Sequence, residues 1–206
     1  MTVQDENARS GINPDVYYDP YFEQQAVKVL PGEFFVTGKD MMIVSVVGSC
    51  VCVCIRDRLK ELGGMCHFIV PDRFLDSAVS SIGAIHYAGH AMEMLTNQLI
   101  KMGSQRRDLV AKVFGASNWI KTSDAKQLCE MNAHFVLHYL QQESIQVASQ
   151  DLLQPYPSKL YFFPRTGKVL VKRLHKLNNT TLLDRESEYL ERLVDMDLSG
   201  PMELFN

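Results

Sequence analysis

"VVGSCVCVCIRD", running from Val46 to Asp57, places Cys50, Cys52 and Cys54 at alternate positions with Val51, Val53 and Ile55 between them. That period of two is the signature of a β-strand, with cysteines on one face and branched aliphatics on the other. "MCHFIV", Met65 to Val70, reads as a second strand, stopped by Pro71, which cannot continue a ladder. The intervening "RDRLKELGG" predicts that the two pair as a hairpin. A turn centred between Arg58 and Leu59 sets Cys50 directly opposite His67. Opposed residues of an antiparallel pair share a face, their Cβ atoms about 4.5–5.5 Å apart. A slip of one residue would put them on opposite faces.

Working outward, "AVKVLPGEFFVTGKDMMIVSVVGSC" holds three short β-rich runs, broken at Pro31-Gly32 and at Thr37-Gly38-Lys39-Asp40. "HYAGHAMEMLTNQLIKMG" predicts a helix with Ala88, Met92, Leu95, Leu99 and Met102 on one stripe and Gly103 at its end. "LVAKVFGA" is strand-like. A second helix is expected over about 124–142, with Leu128, Met131, Phe135 and Tyr139 as its buried face. "IQVAS" reads as a strand, and "KLYFFPRTGKVLVKRL" as a hairpin around Pro164-Arg165-Thr166-Gly167. Short strands with two main helices between them give an α+β class with a largely antiparallel sheet. Residues 1–25 read as an irregular extension. Residues 26–178 read as the folded domain, and 179–206 as a charged tail with helical, amphipathic periodicity.

The chain has 206 residues, enough to bury one core without staples, and a net charge of −3 with no basic stripe, which argues against nucleic acid as the main partner. Its apolar runs fall short of a membrane span, and its polar start lacks a secretory pattern, so a cytoplasmic protein is expected. Five cysteines is an odd count, and a reducing compartment keeps them free.

Three readings compete for the thiols. Cysteine is among the most buried residue types, and core filling is the expectation for Cys52, Cys54, Cys66 and Cys129. Zinc would draw on Cys50, Cys52, Cys54, Cys66 and His67. Same-face neighbours on one strand lie roughly 6.5–7 Å apart, however, too far for sulfurs that must each reach one ion, and no C-x-x-C is present. The His86/His90 and His134/His138 pairs have clamp spacing without the H-E-x-x-H pattern and read as boundary histidines. The third reading is chemical. A free thiol near pKa 8.5 is only about three per cent ionised at neutral pH, and an adjacent imidazolium would lower that pKa. Gly48-Ser49 just before Cys50 would let a substrate approach the backbone, where the N–H groups of Ser49 and Cys50 can cradle an oxyanion. No phosphate loop, dinucleotide fingerprint or metal motif occurs, so no cofactor is expected.

"GSCVCVCIRD" with "GGMCHFIVP" resembles the signature of the CheD family, the chemoreceptor glutamine deamidases of bacterial chemotaxis. "HYAGHAMEMLTNQLIKMG", "AKVFGASN", "NAHFVLHYL" and "KLYFFPRTGKVLVKRL" are similar to further parts of the family, covering about 26–177. The resemblance implies an α/β/β layered sandwich and a cysteine hydrolase. Cys50 would be the nucleophile, His67 the base and acid, and Ser45, where the family usually has threonine, the third member. It implies hydrolysis of receptor glutamines to glutamate through a thioester, with methyl-accepting chemotaxis receptors as protein substrates and the phosphatase CheC as a partner in some bacteria. Ala116, where a second glycine is commoner in the family, is expected away from Cys50. A non-catalytic adaptor that docks on receptors or CheC, and another Cys-His acyl-transfer enzyme, are the alternatives.

Overall fold

The computed structural model describes residues 15–70, 78–175, 181–182 and 184–188. In chain order the elements are β1 (Val16–Asp19), β2 (Gln24–Lys28), β3 (Phe34–Thr37), β4 (Met42–Val47), β5 (Val51–Asp57), β6 (Gly63–Phe68), α1 (Ala78–Lys101), β7 (Leu109–Gly115), α2 (Ser123–Gln142), β8 (Gln146–Leu152), β9 (Ser158–Phe163) and β10 (Lys168–Arg173). They form two five-stranded sheets, ordered β1-β2-β4-β9-β10 and β3-β6-β5-β7-β8.

Both sheets are mixed, which corrects the largely antiparallel arrangement expected from the sequence. β2 runs parallel to β4, and β7 parallel to β8. Parallel neighbours need a long crossover. The first is supplied by β3, which leaves for the other sheet and returns, and the second by α2. Strand periodicity shows neither excursion.

β5 explains the layering. Val51, Val53 and Ile55 pack with Met92, Leu95 and Leu99 of α1 and Val136 and Leu140 of α2. Cys50, Cys52 and Cys54 pack instead with Val27, Ile43, Leu160 and Phe162 of the facing sheet. The strand is therefore buried on both sides, with helices on one face and a sheet on the other, and polar alternation is absent for that reason. Small thiols fill the layer between the sheets.

Several boundaries differ from the expected ones. Residues 16–25 are not an irregular extension: β1 pairs antiparallel with β2, Val16 opposite Val27. The first helix starts at Ala78, ahead of His86, and Met102 lies past its end and is exposed. Ala88, Met92, Leu95 and Leu99 are its buried stripe, as expected. In α2 the buried positions are Cys129, Asn132, Ala133, Val136 and Leu140, one step round from the expected face. Asn132 causes the shift. Its amide satisfies both backbone groups of Val70, accepting from the N–H at 2.7 Å and donating to the carbonyl at 3.3 Å. A polar side chain on the inward face disguises the stripe.

Candidate active site

Gly48, Ser49 and Cys50 carry the chain from the end of β4 in one sheet to the start of β5 in the other. The turn after β7 braces this crossing. Ala116 N–H donates to the Cys50 carbonyl at 2.6 Å and Ser117 N–H to that of Gly48 at 2.7 Å. Gly115 has φ +105°, and a Cβ there would lie 2.3 Å from the Cys50 carbonyl oxygen, so only glycine fits. Ala116 itself takes φ +46°. The substitution expected to lie away from Cys50 thus abuts its backbone.

His67 sits on β6 and faces Ser45 on β4, across the layer between the sheets. Ser45 Oγ lies 2.9 Å from His67 Nδ1 and 2.7 Å from the Val29 carbonyl. A carbonyl can only accept, so the single hydroxyl proton of Ser45 goes to Val29. Ser45 then accepts from Nδ1–H, which fixes the tautomer and leaves Nε2 bare. Nε2 is buried with no hydrogen-bond partner among the described residues. The backbone of His67 is held as well, donating to Glu33 O at 3.0 Å and accepting from Gly32 N–H at 2.8 Å. A ring held through one nitrogen keeps on the other a lone pair that can accept a proton.

The register corrects the expected pairing. Cys52, not Cys50, is directly opposite His67, and Val51 is opposite Phe68. Cys50 therefore lies diagonal to the histidine. The displacement is two positions rather than one, so it keeps the same face. Cys50 and Cys52 both face the opposing sheet.

The protonation states also differ from the ionised pair suggested by the sequence. Burial, followed by the neighbouring Glu186 carboxylate, pushes the Cys50 thiol well above its ordinary range. Burial raises Cys52 to about 12 and lowers His67 from 6.5 to about 4. Burial thus favours the neutral form of both the thiol and the imidazole, because a dry interior disfavours either charge.

A stability prediction follows for His67, whose folded state holds fewer protons than the unfolded chain between these two values. Stability is then full above pH 6.5, falls as the pH drops below it, and levels off below about 4. Between about pH 7.5 and about pH 5 the loss is about 2 kcal/mol. Urea unfolding of wild type and His67→Gln at both pH values isolates this from carboxylate titration: only the wild type should show it.

One residue of the site was not singled out in the sequence. Residues 181–182 and 184–188 are helical, and Leu182 and Glu186 are buried. Ser49 N–H donates to Glu186 Oε1 at 2.9 Å, and this carboxylate lies near enough to Cys50 to help push its thiol up. The signal available was the spacing of Leu182 and Glu186, four apart on one helical face. The His134 and His138 rings stack at the exposed surface of α2, with centroids 6.0 Å apart. Among the described residues no group of three or more His, Cys, Asp or Glu side chains is arranged to hold a metal ion.

Comparison with known proteins decides the family. The family model described as "CheD chemotactic sensory transduction" matches residues 69–173. A protein of Janthinobacterium sp. (strain Marseille), named "Probable chemoreceptor glutamine deamidase CheD", is 47% identical over 192 residues, 93% of this chain and 95% of its own. The chain belongs to the CheD family. A CheD protein of Laribacter hongkongensis with the same printed name is 43% identical over 206 residues and 100% of both chains. Among solved structures, the hypothetical protein YfiH of Bacillus licheniformis aligns with a TM-score of 0.35 and 14% identity, over 59% of this chain and 51% of that one. The matched CheD segment begins just beyond His67, whereas the CheD relatives align across the stretch that includes Ser45, Cys50 and His67. No helix among the described residues is long and apolar enough to cross a membrane.

Proposed function

We propose that this CheD protein converts glutamine side chains of chemoreceptors to glutamate, with Cys50 as nucleophile and His67 as base and then acid. The observation that carries this reading is the Ser45–His67 hydrogen bond at 2.9 Å. It leaves a bare imidazole nitrogen in the same layer as Cys50, in a chain whose relatives are named glutamine deamidases.

The chemistry follows from neutral groups. Once a carboxamide enters, His67 Nε2 takes the Cys50 proton as sulfur attacks the amide carbon, forming a C–S bond. Ser49 N–H and Cys50 N–H stabilise the oxyanion, and the Gly48 backbone lets the substrate come close. The imidazolium gives its proton to the departing nitrogen, the C–N bond breaks, and ammonia leaves. Water, deprotonated by the same ring, then hydrolyses the thioester and releases glutamate. A covalent intermediate suits an amide, whose nitrogen leaves poorly. Receptor cytoplasmic helices as substrates would place the reaction in the cytoplasm.

Incubation with a receptor cytoplasmic fragment tests this. Ammonia release should match glutamate formation at specific glutamines by peptide mass, and an unmodified fragment would contradict it. Ser45→Ala should slow turnover about tenfold by freeing the ring to rotate and change tautomer, with KM little changed. An unaltered kcat would reduce Ser45 to scaffold.

A further inference from the structure

We infer that the C-terminal helical segment is a built-in product analogue: it seats Glu186 in the subsite a substrate glutamine must enter, and Cys50 acts on receptor glutamines only once this segment leaves. The inference rests on the deamidase reading of Cys50 and adds what fills its site at rest.

The geometry is specific. Glu186 Oε1 accepts from Ser49 N–H at 2.9 Å, which is the donor an oxyanion would use. Gly48 forms the floor, and even a methyl group there would meet Glu186 Oε1 at 2.6 Å, Trp119 Nε1 at 2.7 Å and Leu182 Cδ2 at 3.2 Å. The cleft over the backbone is thus filled by a glutamate side chain and its helical neighbour. Glutamate is what deamidation of glutamine yields. Leu182, one turn earlier, is buried beside it, and Trp119 Nε1 is buried without a hydrogen-bond partner among the described residues. His67 Nε2 has no hydrogen-bond partner among the described residues, so the ring is not engaged with the Cys50 thiol at rest. Cys50 is wholly buried under this cover. A carboxylate beside the sulfur also opposes thiolate formation.

The same placement predicts a self-reaction. With glutamine at 186, Cys50 would displace its ammonia to form a C–S bond, and water would replace sulfur to leave glutamate, so that one water is consumed and one ammonia released.

The test uses the full chain. Cys50 alkylation by iodoacetamide, followed by peptide mass, should be roughly tenfold or more faster in Glu186→Ala and Leu182→Asp than in wild type, because the cover gates access. Equal rates in all three would overturn the inference, whatever happens to receptors. Purified Glu186→Gln should convert to glutamate at 186, and Glu186→Gln/Cys50→Ala should not. A persistent amide at 186 in an enzyme that still deamidates receptor fragments would overturn the assignment of the subsite. Fast alkylation of the variants, with neither position 186 nor receptor glutamines converted, would uphold the cover and reject the deamidase reading.

Discussion

Cys50→Ala is expected to lower the rate of glutamine conversion by roughly 10⁴-fold or more, the scale for loss of a nucleophile that works as a unit with its base. The fold should survive. Cys50 lies at the strand mouth, and its backbone is held through its own carbonyl by Ala116 N–H, a bond the substitution leaves in place. Loss of one buried sulfur costs about 1–2 kcal/mol. Cys52→Ala is the informative partner, because Cys52 is the thiol directly opposite His67. Cys52 lacks the Gly48-Ser49 approach and lies inside a paired strand, so its removal should leave turnover within about tenfold of wild type. Rates for the two variants on one receptor fragment separate the assignments. A dead Cys52→Ala and an active Cys50→Ala would reverse them.

His67→Gln should lower kcat by roughly 10³-fold or more. The amide keeps a polar group near Ser45 but supplies no base, so KM should move little. The pH profile carries a sharper expectation. The base is neutral at rest down to about 4, so the acid limb of kcat/KM should fall near that value rather than near 6.5. Activity that halves near pH 6.5 would mean that the ring is more solvated in the working enzyme than in this structure. It would also weaken the pH dependence of stability expected for His67.

Local pattern made much of the fold legible. The strand from Val51 to Asp57 is written in period two, the hairpin at Pro164 to Gly167 in turn chemistry, and the extent of α2 in a helical periodicity over about 124–142. What failed depended on distant partners or on one polar side chain. The β5–β6 register turns on Asp57, whose carboxylate accepts from Leu59 N–H at 2.8 Å and Lys60 N–H at 3.1 Å. That Asx-type turn moves the reversal one residue along and the pairing by two. Asn132 hides the buried face of α2 because its partner is a strand-end backbone. The parallel pairs depend on β3 and α2 leaving and returning.

The candidate site divides in the same way. Cys50, His67 and Ser45 stood out in the sequence by alternation and by resemblance, and the structure gathers all three in the layer between the sheets. Their protonation was not legible, since it depends on burial from both faces of β5. Glu186 was not singled out because nothing local links a charged tail to a glycine turn far upstream.

The most direct measurement is to quench the enzyme in acid during turnover on a glutamine-bearing receptor peptide and map the covalent adduct by mass. A thioester on Cys50 of peptide mass less ammonia, absent from Cys50→Ala, is the predicted result. An adduct on Cys52, or glutamate still forming without the Cys50 sulfur, would contradict it.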